Sequence, residues 1–314
     1  MSDGPGWSRG AGVTRAAGPF QRRTTVPRGG FDLAVFEGGN PDGPTIVMVH
    51  GWPDTHHMWR AVAELLAAEF RVVAYDTRGQ GESVTDAPDD AFTLDALADD
   101  LVAVIHAVGA GSPVHVLGHD WGSVQAWEAV CRPDAGDTIA SFTSMSGPNL
   151  AHVASWVRRT LARPDPRALV GLAAQAVSSS YVPFLVSPLA PPVLGTLAGR
   201  ERWRLLLRAA EGGRPPPGAH ASSLRRDMVS GLRYYRANLG RGSRAEEQRT
   251  RVPVLQLALT RDVAVRPAAL AASDPWVESL ERRALPYGHW AALTHPDVVA
   301  DEVARFVRRQ HART

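Results

Sequence analysis

The stretch Pro113-Val114-His115-Val116-Leu117-Gly118-His119-Asp120-Trp121-Gly122 decides the predicted fold. Its first half is a short apolar run rich in valine, which predicts a buried β-strand. The run stops at a Gly-x-Asp-x-Gly pentapeptide, and residues 123–130 then predict a helix. A strand that turns into a helix this quickly needs a tight, strained bend, with small residues two positions before and after the apex. We therefore expect a strand–turn–helix bend with Asp120 at its apex.

Asp120 is the most informative residue of this bend. In a nucleophile elbow the apex side chain projects above the end of a sheet, and it is usually a serine. A serine hydroxyl needs a base to become a nucleophile, whereas a carboxylate already is one at neutral pH. Asp120 is therefore a candidate nucleophile. The pentapeptide alone is equally compatible with a tight turn that carries a solvated aspartate. Evidence from the rest of the chain is needed to choose between these two interpretations.

The composition is typical of a globular protein. Of the 314 residues, 44% are hydrophobic and 21% are charged, which allows a large core in one domain with an insertion or in two domains. The sequence shows no apolar run long enough to span a membrane and no secretory signal at its start. The single cysteine, Cys131, excludes an internal disulfide, so we expect a cytoplasmic protein.

All 34 basic residues are arginine, because the chain contains no lysine. The absence of lysine excludes Schiff-base chemistry, a P-loop and a tyrosine–lysine reductase pair. The arginines are interleaved with acidic residues, and the formal net charge is only +2. A nucleic-acid partner is therefore not expected.

Strand and helix patterns alternate along most of the chain, which predicts an α/β fold with a mostly parallel sheet. Residues 1–24, rich in Gly, Ser and Arg at their start, are expected to form a flexible tail. The alternation stops after Asn149 and resumes near residue 252, with helical patterns and prolines between. We therefore expect an α/β core over residues 25–149 and 248–314, and an inserted helical cap over residues 150–247.

Polar residues at the predicted strand ends outline a site, because sites in open parallel sheets form beyond the carboxyl ends of the strands. These ends carry residues 50–53, 76–78 and 146–148, together with Asp120, Asp262 and His289. The order aspartate, aspartate, histidine along the chain is the order nucleophile, acid, base of this kind of triad.

These residues resemble the α/β-hydrolase superfamily and, within it, the epoxide hydrolases that use an aspartate nucleophile. The resemblance extends from about residue 25 to the end of the sequence. It rests on His50-Gly51-Trp52-Pro53, Gly118-His119-Asp120-Trp121-Gly122, Asp262 and Gly288-His289-Trp290. It implies an eight-stranded, mostly parallel sheet flanked by helices, with the cap inserted after the sixth strand. The cap also resembles that of hydrolase domains fused to a short-chain dehydrogenase/reductase.

The resemblance implies a mechanism that uses no metal and no cofactor. Asp120 attacks an epoxide carbon and forms an alkyl-enzyme ester. His289, held by Asp262, then activates the water that hydrolyses this ester. Asp262 could instead be a simple turn residue. His295 is the alternative candidate for the base, although it precedes a proline and resembles the first residue of a helix.

Four further residues are expected beside the substrate. The resemblance implies that the backbone N–H groups of Trp52 and Trp121 stabilise the charge of the second step, and one such donor is worth about 10²–10³ in rate. His50 and Pro53 belong to the same motif as Trp52, and the motif implies a cis Trp52–Pro53 bond. The adjacent His56 and His57 lack a third ligand at metal-binding spacing, so they predict no metal site.

Opening an epoxide also requires an acid, and family members use cap tyrosines. The candidates are Tyr181, Tyr234 and Tyr235. Tyr235 shares one helical face with Met228, Leu232 and Leu239, whereas Tyr234 lies off that face. We therefore expect Tyr235 to point inward, with Tyr181 as its partner. A core tyrosine bonded to a carbonyl is the alternative for Tyr235.

The predicted function is hydrolysis of an apolar epoxide, with water as the second substrate. Cap residues Trp156, Leu185, Val186 and Leu189 suggest an apolar pocket. A haloalkane dehalogenase is the alternative, since Trp52 stands where a halide donor could lie, and a catalytically silent binding protein on the same fold is a further one. The sequence leaves open whether the chain forms a homodimer.

Overall fold

The computed structural model describes residues 18–312, except residues 110, 198, 212–215, 217 and 241–247. The strands are β1 Arg22–Arg28, β2 Phe31–Gly39, β3 Thr45–Val49, β4 Arg71–Tyr75, β5 Val114–His119, β6 Ile139–Met145, β7 Val254–Leu259 and β8 Leu280–Leu285. They form one sheet in the order β1-β2-β4-β3-β5-β6-β7-β8. β2 is antiparallel to β1 and β4, and the other pairs are parallel. The predicted mostly parallel eight-stranded sheet is confirmed.

Helices cover both faces of the sheet and fill the insertion. Those before β6 are α1 Arg60–Leu66, α2 Leu94–Val108 and α3 Trp121–Val130. The cap helices follow β6 and are α4 Leu150–Ala162, α5 Pro166–Ser178, α6 Val182–Val186, α7 Ala190–Leu197, α8 Arg200–Glu211, α9 Leu224–Ser230 and α10 Leu232–Asn238. The last are α11 Pro267–Ala271, α12 Ala291–Thr294 and α13 Pro296–His311. The insertion thus begins after the sixth strand, and its expected end at residue 247 falls outside the described residues.

The central strand β3 is almost entirely apolar because both of its faces are covered. Along β3, Ile46 and Met48 pack on the side of α1 and α13, whereas Val47 and Val49 pack on the side of α2 and α3. This alternation follows from the two-residue repeat of a strand. Each such side chain contributes roughly 1.5–3 kcal/mol when fully buried, so β3 is a rigid base for the loop that follows it.

The final helix confirms the sequence pattern. The predicted apolar face of α13, formed by Val299, Val303, Phe306 and Val307, is at most 1% exposed. It packs against α1 on one face of the sheet. None of the helices in the described ranges is long and apolar enough to cross a bilayer.

The predicted flexible tail is wrong at its end. Arg22, Arg23 and Thr24 already belong to β1, which pairs with β2 from Arg22 onward. The strand is stabilised by an ion pair between Arg22 and Glu37 at 2.7 Å. A single sequence does not show which residue of another strand pairs with Arg22. The charged residues at the start of β1 therefore gave no strand pattern. Residues 1–17 lie outside the described ranges.

Candidate active site

The turn after β5 is a strained elbow. Asp120 alone separates β5 from α3, and its backbone angles of φ 51° and ψ −126° are rare for a residue other than glycine. A Cβ at Gly122 would overlap backbone oxygens at the end of β3, and a Cβ at Gly118 would lie 2.7 Å from a backbone atom of α3. Both positions therefore require glycine, and the predicted bend is confirmed.

The carboxylate of Asp120 faces the interior, with a side chain that is 14% exposed. Its Oδ1 accepts the backbone N–H of Trp52 at 2.8 Å, and the backbone N–H of Trp121 also bonds to the carboxylate. Its Oδ2 lies 3.7 Å from Nε2 of His289. The peptide bond between Trp52 and Pro53 is cis, as predicted. The reading of Asp120 as a solvated turn aspartate is therefore excluded.

His289 and Asp262 come from the loops after β8 and β7. Nδ1 of His289 lies 3.0 Å and 3.1 Å from the two carboxylate oxygens of Asp262. Asp262 Oδ1 also accepts the backbone N–H groups of Ala264 and Val265 at 2.7 Å and 3.0 Å. These bonds fix the carboxylate, which in turn fixes the imidazole. Asp120, Asp262 and His289, the three residues predicted as a triad, thus meet at the carboxyl ends of parallel strands.

Burial and charge set the protonation of this triad. Burial raises the pKa of Asp120 to about 6, although the charge of His289 and the two N–H donors oppose this shift. Burial alone would lower the pKa of His289, but the nearby charges, above all Asp262, raise it to about 9. Burial would raise the pKa of Asp262, but His289 holds it at about 2. Near neutral pH a cationic His289 therefore lies between two carboxylates.

Two cap tyrosines complete the site. The ring of Tyr235 packs edge-on against Trp121 and Trp52, with centroid distances of 4.9 Å and 5.7 Å. The ring of Tyr181 packs edge-on against that of Tyr235 at a centroid distance of 6.4 Å. Burial raises the pKa of both, that of Tyr181 to about 12, and the negative charge of Asp120 adds to each shift. Both phenols are therefore protonated and close to the carboxylate.

The sequence was also compared with known protein families. The family model of the alpha/beta hydrolase fold matches residues 44–296, a range that includes the elbow, Asp262 and His289. The chain belongs to the α/β-hydrolase family. This α/β hydrolase is also similar to two curated relatives and one solved structure.

The probable oxidoreductase EphD of Mycobacterium tuberculosis H37Rv is 39% identical over 284 residues, covering 88% of this chain and 48% of EphD. This α/β hydrolase therefore spans about half the length of the EphD proteins that it matches. Epoxide hydrolase A of the same organism is 36% identical over 126 residues, covering 40% of this chain and 38% of that protein. A structure of novel epoxide hydrolases from metagenomes of hot environments has a TM-score of 0.71 at 24% identity, covers 91% of this chain and 97% of its own, and shows the shared fold.

His50 does not reach the site of this α/β hydrolase. It is fully buried, its Nδ1 donates to the carbonyl of Gly51 at 2.9 Å, and its Nε2 accepts the backbone N–H of Thr77 at 2.9 Å. With both nitrogens bound by the protein, His50 has no atom left for a substrate, and the prediction of a substrate contact is wrong. It instead fixes the end of β3. Pro53 is buried as well, and its role beside a substrate stays a prediction.

Tyr234 is buried although it was placed off the inner face of its helix. Its hydroxyl lies 2.6 Å from the carbonyl of Arg78 and 2.9 Å from Oγ1 of Thr77. α10 is packed on both sides, so the face opposite Tyr235 is also covered. Tyr234 therefore links the cap to the core and has no contact with Asp120.

The remaining candidate histidines have structural partners. Nδ1 of His56 lies 2.8 Å from Oδ1 of Asp76. His295 stacks on Tyr287 at a centroid distance of 3.9 Å. Within the described ranges, no group of three or more His, Cys, Asp or Glu side chains could hold a metal ion.

Two acidic residues near the triad were missed by the sequence analysis. Asp54 is buried, accepts the indole N–H of Trp290 at 2.9 Å, and its charge raises the pKa of Asp120. Its place directly after Pro53 could have revealed it. Glu211, at the end of α8, places its carboxylate against Gly288 and near the backbone N–H groups of His289 and Trp290. Only the folded chain brings α8 to this loop, so no sequence signal was available.

Proposed function

We propose that this α/β hydrolase converts an apolar epoxide into a vicinal diol. The observation that carries the proposal is the position of two phenols beside the elbow of Asp120: Tyr235 packs against Trp121, the residue after Asp120, and Tyr181 packs against Tyr235. An epoxide needs both kinds of group, because a nucleophile opens the ring and an acid protonates its oxygen. The relative named epoxide hydrolase A supports the same reaction.

In the first step, Asp120 acts as the nucleophile. Its Oδ1 is held by backbone N–H groups, so Oδ2 attacks the epoxide carbon and an alkyl-enzyme ester forms. The carbon–oxygen bond of the ring breaks, and the leaving oxygen takes a proton from Tyr235 or Tyr181. A positioned acid of this kind is worth about 10²–10⁴ in rate. The cationic His289 can return a proton to the phenolate, which leaves the imidazole neutral.

Formation of the ester prepares His289 for the second step. Its raised pKa depends partly on the negative charge of Asp120, and the ester removes that charge. The pKa of His289 therefore falls when the intermediate forms, while Asp262 keeps the imidazole in place. A neutral imidazole can then take a proton from water.

The second step hydrolyses the ester. The activated water attacks Cγ of Asp120, and the charge that develops on Oδ1 meets the backbone N–H groups of Trp52 and Trp121. Collapse of the intermediate breaks the bond from Cγ to the ester oxygen, which leaves in the diol with a proton from the new carboxyl group. The products are a diol, an ionised Asp120 and a protonated His289, so the enzyme returns to its starting state.

The contact of Trp52 argues against a dehalogenase. A halide site needs free donors near the nucleophile. The indole N–H of Trp52, the candidate halide donor, donates to the carbonyl of Met228 at 3.0 Å. This donor is therefore occupied by the protein.

An apolar substrate is supported by the side chains around the tyrosines. Leu185 and Val186 pack in the same cluster as Trp121 and Tyr235. Two other residues predicted for the pocket do not join this cluster: Trp156 lies against α5 and Leu189 is 66% exposed. Of the four residues predicted to line an apolar pocket, we therefore keep only Leu185 and Val186.

A single-turnover experiment in water labelled with ¹⁸O tests the mechanism. Enzyme in excess over epoxide should release an unlabelled diol, because the transferred oxygen comes from Asp120. The label should appear in the peptide that contains Asp120, as measured by mass spectrometry. A labelled diol in the first turnover would show direct attack of water on the epoxide and would contradict the ester mechanism.

A further inference from the structure

The cap exposes a long segment without charge. From residue 168 to residue 199 the sequence contains no Asp, Glu, Arg or His, and these residues include most of α5 and all of α6 and α7. Val170 and Val177 are 70% and 72% exposed in this segment. Single exposed apolar side chains are common, but several on one segment indicate an interaction surface.

Helix α5 exposes its apolar face and packs its more polar face against the protein. This is the reverse of a helix that only covers a core. Gly171, Gln175 and Ser178 lie on one face and pack against α11 and the loop before it. The opposite face carries Leu169, Val170, Ala173 and Val177, all exposed, which we call the outer α5 face. Surface helices normally bury their apolar side and expose their polar side. The inverted arrangement of α5 therefore indicates that its apolar side meets something outside the chain.

Positive charge lies at the N-terminal end of α5, where the outer α5 face begins. Arg158, Arg163 and Arg167, at the end of α4 and the start of α5, are all exposed. Asp165 is the acid nearest to them in sequence, but its carboxylate accepts the backbone N–H groups of Arg167 and Ala168 as the cap of α5. The arginine side chains are therefore directed to solvent beside an apolar surface.

We propose that the outer α5 face docks on the surface of an anionic lipid bilayer. An apolar helix face inserts into the boundary between headgroups and acyl chains, and basic residues at its edge attract anionic headgroups. Each arginine near such a surface strengthens binding about fivefold. Leu161, exposed in the last turn of α4, adds an apolar side chain between Arg158 and Arg163 in the sequence.

The charges favour a bilayer over a second copy of the chain. A symmetric dimer through the outer α5 face would bring the same patch of both copies together. Arg163 and Arg167 of one copy would then face the same basic edge of the other. Lipid phosphates supply the opposite charge instead.

The outer α5 face is close in sequence to Tyr181, one of the two tyrosines proposed as acids. Tyr181 directly precedes α6, three residues after α5 ends, and it is 39% exposed while its ring packs against Tyr235. Phe184 on α6 is exposed as well. If Asp120 acts on epoxides as proposed above, the docked enzyme takes a lipophilic epoxide from the bilayer, and this second part rests on that function.

Vesicle co-sedimentation tests the docking without any turnover. The full chain should bind vesicles that contain phosphatidylglycerol more tightly than vesicles of pure phosphatidylcholine. The double substitution Val170→Glu with Val177→Glu should weaken binding by about tenfold for each valine. Arg163→Ser with Arg167→Ser should weaken binding to the anionic vesicles by about fivefold for each arginine. Leu65→Glu is the matched control, because Leu65 is 54% exposed on α1, and it should change nothing.

Two results would overturn the docking proposal. One is a vesicle affinity that changes neither with the phosphatidylglycerol content nor with either pair of substitutions. The other is a dimer in sedimentation velocity that the valine substitutions dissociate, since a second copy would then cover the face. All variants should hydrolyse a short water-soluble epoxide like the unaltered chain, and only a vesicle-dissolved epoxide should be turned over more slowly by the valine variant. A chain that binds vesicles but opens no epoxide would reject the proposed function and keep the docking.

Discussion

The backbone N–H of Trp52 donates to Oδ1 of Asp120 at 2.8 Å, which joins the end of β3 to the elbow after β5. This bond orients the carboxylate before any substrate is present. It is possible only because Gly51, directly before Trp52, leaves space for the carboxylate. The position of the Asp120 carboxylate, the proposed nucleophile, therefore depends on a glycine that has no side chain of its own.

Gly51→Ala should lower epoxide turnover by at least about 10²-fold, because the added methyl group would overlap the carboxylate of Asp120 and shift it. Gly136→Ala is the matched control, since a Cβ at Gly136 meets no atom within 4 Å. Steady-state kinetics and thermal unfolding of both variants check this. Unchanged turnover in Gly51→Ala would show that the carboxylate tolerates the displacement.

His289→Gln should trap the alkyl-enzyme ester. Glutamine cannot act as a general base, so Asp120 is alkylated but the ester is not hydrolysed at a useful rate. Intact-protein mass spectrometry after addition of an epoxide should show one added substrate mass, located on the peptide that contains Asp120. The double variant Asp120→Ala with His289→Gln should show no added mass, and an adduct in that protein would assign the nucleophile to another residue.

Tyr235→Phe combined with Tyr181→Phe should slow epoxide opening by about 10²–10⁴-fold, because the leaving oxygen loses its proton donors. Tyr234→Phe is the control within the same Tyr-Tyr pair. Its hydroxyl bonds to Arg78 and Thr77, so its loss should reduce stability by about 1–3 kcal/mol and leave the rate of opening unchanged. Pre-steady-state formation of the ester and the thermal midpoint separate the two effects. If the loss of both hydroxyls does not slow the opening of the epoxide, the result favours the dehalogenase instead.

Local patterns in the sequence were sufficient for the sheet, the elbow and the meeting of Asp120, Asp262 and His289. β3 is buried on both faces and is almost entirely apolar, and the two glycines around Asp120 are required by close backbone contacts. Asp262 and His289 lie three and four residues after strands of a parallel sheet, whose ends meet at one edge. These features were predictable because each depends on neighbours in the chain.

The features that the sequence did not reveal depend on distant partners. His50 was expected beside the substrate, but Thr77 on the neighbouring strand end occupies its Nε2. Tyr234 was expected off the packed face, yet the core covers that face too. Glu211 reaches the triad loop only because α8 folds over it. In each case, periodicity along one element could not show what packs against its other side.

The pH dependence of turnover should report the environment of Asp120. Burial raises the pKa of this carboxyl group to about 6, and its protonated form is not a nucleophile. The value of kcat/KM should therefore fall about tenfold per unit as the pH drops below about 6, whereas an ordinary aspartate would retain activity to about pH 4. Asp54→Asn removes a negative charge that helps to raise the pKa of Asp120, so it should move this acidic limb to lower pH. Profiles of kcat/KM for both proteins, measured with one uncharged epoxide, check the shift, and a limb near pH 4 in the unaltered enzyme would mean that the resting carboxylate is well solvated.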